Sequence, residues 1–279
     1  MNSVCGSKVG AKFLYPFDTL HSVTGKAIAE FRDAALAMLF PTACRACDLR
    51  IESWRDGIAC DQCWTQLEQK IEKVRLANNL CEKCGMPLAG LPLHINVEER
   101  RCGRCHDLAF NFARACGIYE GPLRESVLWL KRHPQIHPRL RSLLRSTFIS
   151  FNEKLASDVI VPVPLHKMRL AERTFNQAEI LAREISVFSG LYVDTASLIR
   201  NKQTERHRAG MGARERSRSL KKAFRVRAPR LIKDKTILLV DDVMTTGSTA
   251  HEIAQTLLEH GARSINVLTL ARAASEFTL

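Results

Sequence analysis

The residues best suited to chemistry lie in one short stretch, residues 236–249, which read TILLVDDVMTTGST. Ile237 to Val240 is an unbroken apolar run, as expected of a parallel strand buried on both faces. Two acids, Asp241 and Asp242, follow at its carboxyl end, and then Thr245, Thr246, Gly247, Ser248 and Thr249 make a small, hydroxyl-rich turn. Residues 250–260 carry helical apolar spacing closed by Gly261, and 264–270 read as a further strand, so the whole is a βαβ unit. Free backbone N–H groups and the positive end of the helix converge on such a turn, which suits a phosphate. Gly247 lets the chain approach an anion closely, and the hydroxyls donate further bonds. The paired carboxylates stand where acceptors grip adjacent hydroxyls of a sugar, so a ribose 5-phosphate satisfies both halves at once. The pattern lacks the lysine of a nucleoside-triphosphate loop and the G-x-G-x-x-G of a dinucleotide fold. The bland alternative is an acidic strand end followed by an ordinary capped helix.

The second chemical signal is cysteine. Eight of the ten cysteines fall in four C-x-x-C pairs: Cys44/Cys47, Cys60/Cys63, Cys81/Cys84 and Cys102/Cys105. Two residues between thiols let both sulfurs of a tight turn face one point, and two such pairs complete a tetrahedral zinc site. Sequential pairing predicts one site from Cys44, Cys47, Cys60 and Cys63 and another from Cys81, Cys84, Cys102 and Cys105. Spacing alone leaves an interleaved pairing open. Disulfides or a redox dithiol are the alternatives; disulfides clash with the cytoplasmic expectation, and one redox motif would not recur four times. Few aliphatic runs lie between Cys44 and Cys105, so metal is expected to hold this segment folded.

These sites need elements to position them. The 279 residues suit about two domains. The 46% hydrophobic and 25% charged residues are ordinary globular values that exclude wholesale disorder. The expected division is a tail and amphipathic helix over 1–40, a double zinc-binding module over 41–110 and an α/β domain over 111–279. No apolar run approaches the roughly 18 residues that span a bilayer. In 23–40 the charges Lys26, Glu30, Arg32 and Asp33 interrupt the apolar positions, unlike a secretory signal, so a cytoplasmic protein without membrane insertion is expected. The net charge of +13 is concentrated in 200–235, which holds 14 Lys and Arg against Glu205, Glu215 and Asp234. That patch, with Arg214, Arg216, Arg218, Lys221 and Lys222 at its centre, reads as a phosphate-facing or nucleic-acid surface, or as a solvated charged face. Only Phe224 is available there for base stacking, which argues against sequence-specific single-strand recognition.

VDDVMTTGST resembles the PRPP-binding signature of type I phosphoribosyltransferases. The Cys-rich amino end, Tyr119-Glu-Gly-Pro-Leu-Arg124, Leu130-Lys131, Val161-Pro-Val-Pro164 and Phe175-Asn-Gln-Ala-Glu179, in this order, resemble the ComF family of competence-associated, DNA-uptake or DNA-utilisation proteins. The likeness runs over nearly all of 36–272. It implies a central parallel sheet flanked by helices behind a small zinc-ribbon-like module. It also implies Asp241 and Asp242 on the ribose hydroxyls, Thr245 to Thr249 on the 5-phosphate, and PRPP with magnesium. Pro164 to Arg173 falls at the pyrophosphate loop of such enzymes, making Lys167, Arg169 and Arg173 candidate contacts, and 200–218 falls at the hood that closes over substrate. Where the family usually shows Arg-Gly-Phe-Asn-Gln, this chain has Thr174 in the glycine's place.

The implied reaction is attack of a nitrogenous nucleophile on the anomeric carbon of PRPP, with pyrophosphate leaving and positive charge developing on the ribose. Two other readings fit the same residues: a regulator that binds PRPP or a nucleotide as a signal, and a module that handles single-stranded DNA, or meets the DNA-uptake machinery, through its ribbons and the basic patch.

Overall fold

The computed structural model describes residues 41–77, 79–88, 100–103, 105–202 and 222–273, together with residues 31, 33, 35 and 37–39. The tail and most of the expected amphipathic helix lie outside the described residues, although those between 31 and 39 are helical. Six strands follow among the described residues: β1 (Phe112–Ile118), β2 (Val159–Pro162), β3 (Leu198–Arg200), β4 (Phe224–Val226), β5 (Thr236–Met244) and β6 (Ser264–Arg272). Seven helices accompany them: α1 (Asp61–Leu76), α2 (Gly121–Leu130), α3 (Pro138–Ser150), α4 (Asn152–Leu155), α5 (Lys167–Arg173), α6 (Gln177–Ser189) and α7 (Ser248–Glu259).

Four strands form a parallel sheet in the order β1-β6-β5-β2. The β5 run Ile237-Leu238-Leu239-Val240 is buried throughout, as its unbroken apolarity requires of a central strand. Alternation sends Ile237 and Leu239 into one core and Leu238 and Val240 into the other. The first core takes Ala250, Ile253, Ala254 and Leu257 of α7, spaced one helical face apart, together with Phe224 and Val226 of the β3–β4 ribbon. The second takes Leu123, Val127 and Leu130 of α2, Leu140 and Leu144 of α3, and Leu181 and Ile185 of α6. Each cysteine cluster joins a different core: Cys44 and Cys60 sit with the second, Cys81, Cys84, Cys102 and Cys105 with the first. The described parts of both cysteine segments are therefore packed against the sheet through shared apolar contacts. Trp64 on α1 is fully buried and donates its Nε1–H to the Asp56 carbonyl at 2.8 Å, which fixes α1 against the first ribbon. Among the described residues, no helix is long and apolar enough to cross a membrane.

The strand orders place a crevice at the carboxyl end of the sheet. From β5 the chain turns through α7 to β6 on one side, whereas β2 flanks β5 on the other. Open α/β sheets bind ligands where connections diverge in this way.

Candidate functional site: an acidic crevice and two tetracysteine clusters

Asp241 and Asp242 open into the crevice as the expected unit requires. They line a hollow of about 250 Å³ with Thr245, Thr246, Ser248 and Thr249 on one wall and Arg169, Arg173 and Arg200 among the residues opposite. Asp241 Oδ1 accepts from the Asp242 amide at 2.9 Å, and Asp242 Oδ1 from the Val243 amide at 2.7 Å, so local backbone fixes both side chains. Burial first, and then the neighbouring Asp242 charge, push the Asp241 carboxyl well above the usual carboxylate range, while Arg200 opposes the shift. A carboxyl shifted by burial and a neighbouring like charge inside a crevice makes this pair a candidate for the site.

The turn between β5 and α7 is tight and depends on a glycine. Gly247 adopts φ +83°, and a Cβ there would lie 3.0 Å from Leu108 Cδ1. No side chain caps α7, although Thr246 and Ser248 stand at its start. Their hydroxyls bond each other at 2.7 Å, and the Ser248 amide donates to Thr246 Oγ1 at 3.3 Å. The first-turn amides of Thr249 and Ala250 have no intrahelical acceptor by the geometry of a helix start, and the helix dipole adds positive potential there. One turn into α7, His251 Nδ1 accepts from the Ala109 amide at 3.0 Å and ties the helix to the chain leaving the second ribbon.

The opposite wall differs in one respect from the loop expected over 164–173: residues 167–173 form helix α5, begun by the His166 side chain accepting from the Met168 amide. Arg169 and Arg173, four apart on that helix, reach the hollow; Lys167 is exposed and does not line it. The helix ends on Thr174 at φ +65°, a left-handed conformation in which the glycine usual for the family is at ease. Asn176 then pins the next turn. Its Nδ2 donates to the Val163 carbonyl at 3.0 Å while its Oδ1 caps α6 through the Ala178 amide. Gln177 is buried and accepts from Arg173 Nη1 at 2.8 Å.

Sequence reasoning does not single out Lys131, Asn176, Gln177 or Arg200 as site residues, yet all four line the hollow. In the sequence Arg200 is one of the charges of the basic segment. Cross-strand pairing with Phe224 lays its guanidinium 5.4 Å from that ring. Burial, the Arg169 charge and Asp241 set its pKa, with burial the largest effect and the net direction downward. Of the basic patch, Arg214, Arg216, Arg218 and Lys221 lie outside the described residues, as does 203–218 of the hood expected over 200–218; Lys222 is exposed, and its amide donates to Glu252 Oε1 at 3.1 Å.

The cysteines gather as two sequential sets. In each, the four sulfurs lie within 4.8 Å of one another. Neighbouring sulfurs stand 3.8 Å (Cys44–Cys63) and 3.6 Å (Cys47–Cys60) apart in the first set, 3.5 Å (Cys81–Cys105) and 3.4 Å (Cys84–Cys102) in the second. A zinc ion with bonds of about 2.3 Å needs tetrahedral edges of about 3.8 Å, so both sets fit a structural four-cysteine zinc site. None of these thiols forms a disulfide, and Cys116 is a buried thiol outside both sets.

A parallel sheet bearing paired acids and an uncapped helix start at its crevice, joined to two tetracysteine clusters, defines a type I phosphoribosyltransferase-like protein with a double zinc ribbon. Residues 130–276 match the phosphoribosyl transferase domain model, and residues 35–109 match the double zinc ribbon domain model. The chain is 33% identical over 241 residues to the DNA utilization protein YhgH of Salmonella typhi, covering 83% of this chain and 97% of that one. It is 29% identical over 211 residues to competence protein F of Haemophilus influenzae, covering 70% and 91% of the two chains. To competence protein ComFC of Bacillus subtilis it is 27% identical over 243 residues, covering 82% and 94%. The chain belongs to the ComF family of phosphoribosyltransferase-domain proteins.

Proposed function

We propose that this chain binds PRPP at the β5–α7 junction and transfers its phosphoribosyl group to a nitrogenous acceptor, in the service of DNA uptake or utilisation in the cytoplasm. The observation that carries the reading is the convergence of Asp241, Asp242 and the uncapped start of α7 on one hollow that faces Arg169, Arg173 and Arg200. The amides and hydroxyls of Thr245 to Thr249 hold the 5-phosphate, and the two carboxylates accept from the 2- and 3-hydroxyls of the ribose. Arg169 and Arg173 face the pyrophosphate. The acceptor nitrogen forms its bond to the anomeric carbon as the bond to pyrophosphate oxygen breaks, the electron pair leaving with pyrophosphate and a proton leaving the nitrogen. Arg169 and Arg173 offset the charge of the leaving group, which magnesium, when bound, would neutralise further. Asp241 and Asp242 stabilise the positive ring, so orientation and electrostatics supply most of the catalysis. Each tetracysteine set holds one structural zinc ion.

The names of the relatives, DNA utilization protein and competence protein, support a task connected with DNA. A second reading therefore stands beside the first: the site senses PRPP or a nucleotide, and DNA is handled by the ribbons and by Arg214, Arg216, Arg218, Lys221 and Lys222. The test follows phosphorus resonances of PRPP with magnesium and a panel of nitrogenous bases. Transfer releases pyrophosphate and is lost in Asp242→Asn. Unchanged PRPP across the panel refutes transfer. Salt-sensitive single-strand binding that survives Asp242→Asn but fails when Arg214, Arg216 and Arg218 are neutralised establishes the second reading.

A further inference from the structure

Only two arginines among the described residues are buried, Arg114 at 5% and Arg272 at 3% exposure, and both lie against the second cysteine set. Arg272 ends β6 and directs Nη2 at Cys84 Sγ, 3.9 Å away. Its Nε and Nη1 are buried with no hydrogen-bond partner. Arg114 on β1 donates Nη1 to the carbonyls of Cys81, Glu82 and Ala113 at 3.3, 3.1 and 2.8 Å, lies over Phe112 at 4.0 Å, and leaves Nε unpartnered. Neither makes an ion pair with a carboxylate among the described residues; Glu82, whose charge acts on Arg114, is paired with Arg100 at 2.9 Å. Two buried guanidinium groups with no carboxylate paired to either are costly. A divalent zinc ion with four thiolates carries two net negative charges, and two arginines balance it.

We propose that Arg114 and Arg272 are the counter-ions of the second zinc centre. That centre is then a weld between the ribbon and the phosphoribosyltransferase-like sheet, whereas the first centre is the exchangeable one. The inference rests on the zinc reading above. Arg114 comes from β1 and Arg272 from β6, which pairs with both β1 and β5, so the metal neutralises charges that belong to the sheet itself. The Arg272 main chain is registered with Met244, at the end of the strand that carries Asp241 and Asp242. Losing this metal removes that balancing charge and leaves two cations buried inside the fold beside that strand. Among the described residues, no buried arginine lies beside the first set. Cys47 is exposed, Cys63 is half-buried, and the neighbouring Arg45 is engaged with the Trp129 ring at 4.9 Å instead.

The test is release of zinc from the full chain by a colorimetric chelator, with native mass spectrometry counting bound ions. Two ions per wild-type chain is the starting condition set by the zinc reading; fewer than two refutes that reading, separately from the one argued here. With two bound, wild type releases one ion quickly while remaining folded by circular dichroism, and the second slowly with loss of the fold. Cys47→Ser lacks the fast phase. Arg272→Met accelerates the slow phase about 10- to 100-fold, the range of changes in outer-shell partners of metal ligands, and leaves the fast phase alone. A single phase in wild type, or a slow phase unchanged in Arg272→Met, overturns the proposal. Should Arg272→Met not fold, cobalt-loaded Arg272→Lys supplies the second readout. Its sulfur-to-metal charge-transfer band shifts relative to wild type, and an unshifted band refutes contact between the guanidinium and the thiolates.

Discussion

Replacing Thr174 by glycine removes a conformational penalty that can be read from one torsion. Thr174 closes α5 at φ +65°, ψ −12°. A left-handed conformation costs an L-residue roughly 1–2 kcal/mol, and branching at Cβ makes it a less tolerant occupant still. Its compensation is small, because its hydroxyl donates to the Arg173 carbonyl at 2.6 Å in an exposed setting. Glycine gives back about 0.5–1 kcal/mol through the greater entropy of the unfolded chain. The net expectation for Thr174→Gly is a gain of about 1 kcal/mol, or about 2–4 °C in melting temperature for a chain of this size. The cap itself survives, since the residue 174 amide still donates to the Leu170 carbonyl. Arg169 and Arg173 then keep their places on α5, and affinity for pyrophosphate changes less than about threefold. Calorimetric melting of both proteins reads the first quantity and titration with pyrophosphate the second. A melting point that falls or stays level would show that the torsion carries no penalty and that the reasoning is wrong.

Gly247→Ala meets the opposite situation. At φ +83°, with Leu108 Cδ1 3.0 Å from the new methyl, it should cost about 1–2 kcal/mol in melting experiments and weaken PRPP binding at least tenfold; wild-type affinity would contradict the role given to the turn. Asp241 makes stability depend on pH with a defined sign. The folded protein holds this proton to higher pH than the unfolded chain, whose aspartates titrate near about 3.9. The stability it contributes is full below that value and is lost as pH rises through the raised folded pKa. Asp241→Asn should therefore melt above wild type at pH 7 and lose that advantage near pH 3, and an advantage independent of pH would count against burial as the cause. Salt titration of single-stranded DNA binding should show a shallower slope when Arg214, Arg216 and Arg218 are replaced by glutamine; an identical slope removes the patch from any DNA contact.

What the sequence discloses, and what it withholds, follows from the range of the interactions. The β5–α7–β6 unit and the four C-x-x-C pairs are legible because each is decided within about a dozen residues. An apolar run, two acids, a glycine turn and a helical stripe need no distant partner to be recognised, and the sulfurs do pair sequentially. Arg114 and Arg272 give no such signal. Each is a single charge in an apolar strand, and the sulfur that Arg272 meets is 188 residues away in sequence. Arg200 reads as one of its basic neighbours because its destination is set by the pairing of β3 with β4. The helix over 167–173 is hidden by its length and by Thr174, which offers no glycine to mark its end. The family resemblance supplies Arg169 and Arg173, but only the helical register separates them from Lys167.

The most direct test of the central claim is a calorimetric titration of PRPP with magnesium into wild type and into Asp241→Asn. The account predicts saturable, magnesium-dependent heat for wild type and affinity at least tenfold weaker for the variant, with both proteins folded by circular dichroism. Absence of binding to wild type, or equal binding by the two proteins, would contradict it.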